Sequence, residues 1–520
     1  MIIFIPRISQ ANEEIPSNST NEKTCEQIGM IANDASKDSL NYSLLCNELN
    51  AGTKIIVDDK YYISGAKNAT AITKDVCIEG KSDNAEFSFT NTSGTSYLFD
   101  IQTTEFFMKR VKLTQLSGGF MSALYIKGSQ KIENFVIDNC YFEGSIRLVE
   151  WSFEDLGYID PSVTDYGITN FSFNYNTCKN LTHTFIILAN VPIHHSSLIG
   201  NNINNFSYLF YSQGISNDNL YNKETAERMS YLEVRDNVVT CDSSWNGAPK
   251  DQTYLCFVLF EGNKCDYYHN TVEGLHVIDQ STAVYDAYLS CWDLDYQDNY
   301  WKNNISFSPS KTHADLMKSK SVNKSDYHDV KRIYKNNTFI VEKSYADIIG
   351  RPYEELWVSL GEYTSGMDTV IVENNNIDVY KLRMNSYQPI HNYTFDNNEV
   401  HVYATQETFS NCILPGSSLA DPAPTDTYIA RNNKIIIDTP SKSENHNTLI
   451  RVTGQQVGGN QVKVIFENNY VKWPNLDAIV SLVNGSTPII KDVRIVNNRI
   501  LWFDIQCFGG WWAPLRYQCE

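Results

Sequence analysis

No stretch of this 520-residue chain is apolar for long enough to span a bilayer. No stripe of lysine and arginine runs along it either. The densest basic stretch, Lys318, Lys320 and Lys324, is diluted by Asp315, Asp326 and Asp329. With a net charge of −19, that pattern argues against a nucleic-acid partner and for a well-solvated surface that repels polyanions at long range. An anionic ligand would need a local cation or a bridging metal. Cys-x-x-Cys is absent although the cysteines number 12, which excludes a zinc ribbon and a thioredoxin-type redox pair. Asn-Gly, the strongest short signal of a tight hairpin, occurs only at Asn246 and Asn484.

What is present is a repeat. An apolar residue, one or two polar residues, an Asn pair and a second apolar residue recur along the chain. Clear copies are Ile199-Gly-Asn-Asn-Ile-Asn-Asn, Tyr334-Lys-Asn-Asn-Thr-Phe339, Val372-Glu-Asn-Asn-Asn-Ile377, Phe395-Asp-Asn-Asn-Glu-Val400, Ala430-Arg-Asn-Asn-Lys-Ile435, Phe466-Glu-Asn-Asn-Tyr-Val471 and Val496-Asn-Asn-Arg-Ile500. Degenerate copies precede them, among them Ile137-Asp-Asn-Cys-Tyr-Phe142, Tyr175-Asn-Thr-Cys178 and Trp301-Lys-Asn-Asn-Ile305. Marking the first polar position of each gives 139, 176, 201, 236, 269, 303, 336, 374, 397, 432, 468 and 497, spaced by 23 to 38 residues. That interval is the size of one solenoid repeat.

Residues on both sides of each pair alternate apolar and polar, as in Val400-His-Val402-Tyr, which is strand periodicity. Asn tolerates left-handed backbone, so each pair marks a sharp bend between strands. Stacked bends would let the amides bond along the axis. The expected fold is therefore all-β: a single-stranded right-handed parallel β-helix, a solenoid with an N-terminal capping helix. The expected divisions are 1–24, a flexible lead-in or signal-peptide remnant (Ser9-Gln10-Ala11 has cleavage-site character), and 25–520, one domain. Within the domain, 25–52 is the N-terminal cap, 53–506 the coils and 507–520 the C-terminal cap. Leu40, Leu44, Leu45 and Leu49 at helical spacing predict a helix over 37–49 that covers the first coil. Cys25 with Cys46 and Cys507 with Cys519 are possible cap disulfides; the favoured reading is free, buried thiols.

The Asn-rich coil resembles the pectin-lyase-like superfamily. At the entry, Ile28-Gly-Met-Ile-Ala-Asn-Asp34, a helix, Thr53-Lys-Ile-Ile-Val57 and Tyr61-Tyr-Ile63 resemble the pectate-lyase-3 and phage-tailspike branch. Ser36-Lys-Asp-Ser and Lys60 stand where that branch has an acidic run and a glycine. The resemblance implies a polysaccharide or glycan partner, a monomer or trimer, and an extracellular, periplasmic or cell- or virion-surface setting; charge and the lack of long apolar runs argue for no nucleic acid and no membrane span. It transfers no catalytic residue, because the Asn-Thr-Asp, Gly-His-Gly, Arg-Ile-Lys and Arg-x-Pro-x-x-Arg elements of its enzymes are missing.

Three insertions share a phase within the repeat and a composition of aromatic and acidic residues: 151–165, 286–298 and 351–362. They predict a lateral glycan groove. Trp151, Tyr158, Trp292, Tyr296 and Trp357 are its expected sugar-stacking residues. Asp155, Asp293, Asp295 and Glu354, with Arg147 as a charge neutraliser, are its catalytic candidates for a polysaccharide lyase or glycoside hydrolase. Asp293 and Asp295 alternate on an extended segment and are a candidate calcium pair. The alternative is a non-catalytic glycan-binding surface or virion protein.

Overall fold

The computed structural model describes residues 21–501 except 92–93, 116–117, 128–129, 153–165, 190, 213–230, 246–253, 276–282, 305, 308–330, 351–356, 361–366, 384–389, 405–411, 416–424, 439–447, 454–460, 475, 477 and 484–488. Helix α1 (Asp38–Asn50) follows a single turn of tighter helix and lies over the first coil. Leu45 and Leu49 are fully buried beneath it, and Leu44 packs at the margin. Leu40 faces solvent, contrary to the expectation that all four leucines cover the coil. Its place is taken by Asn41, whose amide bonds Ile31 N–H and the Ile31 and Tyr62 carbonyls. Tyr42 reaches across to the Leu98 carbonyl at 2.6 Å. The short strand Glu22–Thr24 adds to Lys54–Val57 at the edge, so the first coil is closed by both a helix and a strand. The predicted C-terminal cap, 507–520, and the lead-in to residue 20 fall outside the described residues, as do Cys507 and Cys519. Cys25 and Cys46 are free, buried thiols.

Beyond the cap the chain winds as a parallel β-helix. All the strand ladders are parallel, and each coil lies on the last at about 4.8 Å. A coil has three faces. In one example, Lys131–Asp138 forms the first, Tyr141–Gly144 the second and Ile146–Ser152 the third. The next coil then repeats the first face with Gly167–Asn174, paired residue for residue. The interior is apolar and aromatic. Phe106, Phe135 and Phe171 stack at 4.6 and 5.7 Å, and Tyr267 stacks on Tyr296 at 4.7 Å. Trp151, Trp301 and Trp473 are fully enclosed.

The corner between first and second faces carries the repeat. One residue there has left-handed backbone in every coil from Arg110 to Asn497, with φ near +55°; Tyr175, His269 and Asp298 serve as well as Asn does. From Tyr175 onward the residue after it is the constant one: Asn176, Asn201, Asn237, Asn270, Asn299, Asn337, Asn375, Asn398, Asn433, Asn469 and Asn498. At Asn337 the Oδ1 accepts the Asn299 backbone N–H and Nδ2, at 3.0 and 3.1 Å. Its Nδ2 donates to the Tyr296 carbonyl at 2.9 Å and to Asn375 Oδ1 at 3.0 Å. The same bonds recur from coil to coil, and the series opens at Cys140, whose N–H bonds Asn176 Oδ1.

The marks at 176 and 201 fall on the ladder itself, and at the other main-corner marks the ladder lies one position later: the first residue supplies the bend, the second the buried amide. One mark also moves. Asn303 belongs to the corner between second and third faces, where it pairs with Glu342. Asp298–Asn299 holds the main corner in that coil. Asn180 and Asn205 bond each other along this second corner too.

Asn337→Ala removes all four amide bonds and leaves buried donors and a carbonyl unmatched, so it should cost about 4 kcal/mol. Asn336→Ala loses only tolerance of left-handed backbone, about 1 kcal/mol, and Asn336→Gly should be near neutral. Urea midpoints of the three variants check this order; equal losses at both positions would refute the assignment of roles.

Candidate functional site

The segment 286–298, expected to be a loop, is instead most of the strand Ala283–Gln297. It pairs with Tyr254–Tyr268 almost throughout. Over Asp293–Gln297 the side chains alternate out and in. Leu294 and Tyr296 face the core, and Asp293 and Asp295 face outward on the first face. Tyr296 is therefore a core residue stacked on Tyr267 and has no ring to offer a sugar. Trp151 is corrected in the same way. It lies in the strand Ile146–Ser152 with no exposed surface. Trp292 and Trp357 lie on the strands Ala283–Gln297 and Trp357–Ser359, and their side chains fall outside what is described. Asp155, Tyr158 and Glu354 lie outside the described residues altogether.

Around Asp293 and Asp295 the first face carries two outward columns set by strand register. One is His195, Tyr231, Lys264, Asp293 and Lys331. Beside it runs Ser197, Glu233, Asp266, Asp295 and Ile333. Three carboxylates in successive coils stand about 5 Å apart at their backbones. The sequence reading missed Glu233, Asp266, Tyr231 and Tyr268. A signal existed, since each lies in the strand before its corner, but the coil-to-coil register that aligns them is not visible in the sequence.

Hydrogen bonds hold the columns upright. The Tyr231 hydroxyl donates to Asp266 Oδ2 at 2.7 Å, and Lys264 Nζ pairs with the same oxygen at 3.0 Å. The Tyr268 hydroxyl and Arg235 Nε both donate to Glu233 Oε1 at 2.7 Å. Gln297 Nε2 donates to Asp295 Oδ1. The His195 ring stacks on Tyr231 at 5.1 Å and 6°, and Lys264 Nζ sits 5.4 Å from the centroid of the same Tyr231 ring. Burial, reinforced by Asp266, pushes the Tyr231 hydroxyl well above its ordinary range. Burial and then Glu233 push Tyr268 up to about 12. Both phenols therefore remain hydrogen-bond donors at neutral pH.

Two carboxylate oxygens, Asp266 Oδ1 and Asp293 Oδ1, are buried with no hydrogen-bond partner. Desolvation raises the Asp293 carboxyl above the usual range, and Arg332, Lys331 and Lys264 offset this only in part. Among the described residues no three His, Cys, Asp or Glu side chains converge into a metal site. Arg147, the remaining candidate, lies elsewhere, on the third face. Its Nη1 pairs with Glu150 Oε2 at 2.9 Å.

The sign of the Asp293 shift gives a stability test. A raised folded-state pKa means the native chain holds this proton to higher pH than the unfolded chain does. Its contribution therefore declines as pH rises through the folded value. Relative to wild type, Asp293→Asn should gain stability as pH rises from about 4, whatever the constant offset. Melting temperatures of both proteins across that range check it; a difference that does not change with pH would refute the shift.

Comparison of the chain with protein-family models, with curated proteins and with solved structures finds no match in any of the three.

Proposed function

We propose that this chain is a carbohydrate-active β-helix protein of the pectin-lyase-like kind that holds a polysaccharide along its first face. The observation that carries the reading is the pair of outward columns. Tyr231 in the first column and Tyr268 beside the second offer fixed hydroxyls, and Glu233, Asp266, Asp293 and Asp295 offer acceptors for sugar hydroxyls. Aromatic surface beside well-oriented carboxylates suits a neutral glycan, whose ring faces are apolar and whose edges donate hydrogen bonds.

Cleavage on this face is hydrolytic. Asp293 has the raised carboxyl a general acid needs, and Asp266 and Asp295 are the neighbouring carboxylates for the second role. A glycan panel read for binding, for new reducing ends and for unsaturated uronates tests this. Wild type should bind a neutral polysaccharide and release reducing ends without unsaturated products. Asp293→Asn should keep binding and lose about 10²–10⁴-fold in rate. A chelator should change neither. Binding without any cleavage would move the protein to the non-catalytic surface or virion reading. Absence of binding to every glycan would remove the proposal.

A further inference from the structure

The third face carries a second arrangement that the columns on the first face do not use. Gly144 turns the chain between the second and third faces with φ of +98°. A Cβ there would meet the Gln115 carbonyl oxygen at 2.0 Å, so only glycine fits. Ser145 follows on this tight turn, partly exposed, while Ile146 after it enters the core. The Ser145 hydroxyl lies 3.3 Å from His183 Nδ1 of the next coil.

The imidazole is held from two directions. Its ring packs 4.4 Å from the ring of Phe120, which comes from the coil before Ser145. Thr182 Oγ1 lies 2.9 Å from Nδ1. The same Phe120 ring carries the Arg147 guanidinium at 5.2 Å. Arg147 is two residues beyond Ser145 and faces outward with it. Its Nη1 is anchored by Glu150 Oε2, which also accepts the Ser122 hydroxyl at 3.0 Å. Its Nε points at the Thr184 carbonyl at 3.4 Å. One aromatic ring therefore fixes both a base and a cation beside one hydroxyl.

We propose that Ser145 and His183 are a nucleophile–base pair that hydrolyses small carboxylic esters, with Arg147 stabilising the oxyanion. Ser145 Oγ attacks the ester carbonyl carbon as its proton passes to His183 Nδ1. The carbonyl π pair moves to oxygen, facing Arg147. Collapse breaks the bond to the alkoxy oxygen, and the imidazolium proton leaves with the alcohol. Water then adds to the acyl-serine, its proton goes to His183, and collapse returns that proton to Ser145 Oγ and releases the carboxylic acid. No oxidant or metal is required. The geometry meets the first requirements of such a site: a nucleophile within reach of a base, a base with its ring fixed, and a positive group at hand. The proposal shares no residue with the glycan-binding face and stands or falls separately from it.

The test uses the full chain with 4-nitrophenyl acetate and a fluorophosphonate probe. Wild type should turn over the ester and be labelled at Ser145, as located by peptide mass analysis. Ser145→Ala should lose both. His183→Gln should lower kcat about 10²–10⁴-fold, and Arg147→Lys should lower kcat more than it raises KM. Surface imidazoles react slowly with this ester, so His269→Gln, on a distant corner, should leave the rate unchanged. Retention of the rate in Ser145→Ala, labelling at another residue, or a wild type that neither turns over nor is labelled would overturn the assignment. Circular dichroism of each variant separates lost chemistry from lost fold.

Discussion

A buried carboxamide has two donors and room for two accepted bonds, and leaving any of them unmet costs about 1–3 kcal/mol. Along the main corner of this solenoid each Asn amide from Asn201 to Asn469 meets all four with groups of the coils on either side. At Asn433, Oδ1 accepts the Asn398 N–H and Nδ2, while Nδ2 reaches the Phe395 carbonyl and Asn469 Oδ1. A coil of 23 residues and one of 38 both end at this bond. Coil length is therefore free to vary on the third face, whereas register at the corner is not. The bend itself is less demanding. Tyr175, His269 and Asp298 adopt it because the following amide determines the backbone around them.

Fixed register at the corner has consequences along the first face, which immediately precedes it. Residues at a given distance before the ladder Asn must stack in columns, so any charge placed there meets the charges of the coils above and below. Over much of the face these are opposite. Lys335 pairs with Glu373 at 3.0 Å, and Arg431 with Asp396 at 2.7 Å. Such pairs are partly exposed and add little stability each, but they neutralise the column. Glu233, Asp266 and Asp295 depart from that pattern by placing carboxylates on carboxylates. The tyrosine hydroxyls and Arg235 make the departure tolerable, and they also make it specific.

The corner repeat was legible in the sequence because Asn is needed there for its chemistry rather than its size. The reading erred by one residue because left-handed tolerance and amide bonding both select Asn, and in most copies the two positions are both Asn. Tyr175-Asn176, Gly200-Asn201, Asp236-Asn237, His269-Asn270 and Asp298-Asn299 separate them, and these identify the second as the constant position. The aromatic candidates failed for a different reason. In a solenoid core, Trp and Tyr can stack on one another coil after coil, so a cluster of rings in sequence is as good a sign of interior as of groove. Trp151 and Tyr296 followed the interior rule. Asp293 and Asp295 were placed correctly on one outward line, because alternation survives the change from expected loop to observed strand. Their partners Glu233 and Asp266 come from earlier coils, and no local pattern announces them.

The two orphan oxygens at Asp266 and Asp293 bear on why a site can exist here at all. Neighbouring coils satisfy most other buried polar groups, and an unmet carboxylate oxygen works against the fold. Such a defect survives only where the surrounding structure is determined by stronger bonds elsewhere. Asp266 lies four residues before Asn270 and Asp293 six before Asn299, so both stand on strands that the amide ladder and continuous parallel pairing already fix. The same reasoning separates function from fold in this molecule. Outward residues of the first face can change without disturbing the corner, whereas a change at the corner would shift every column that leads to it.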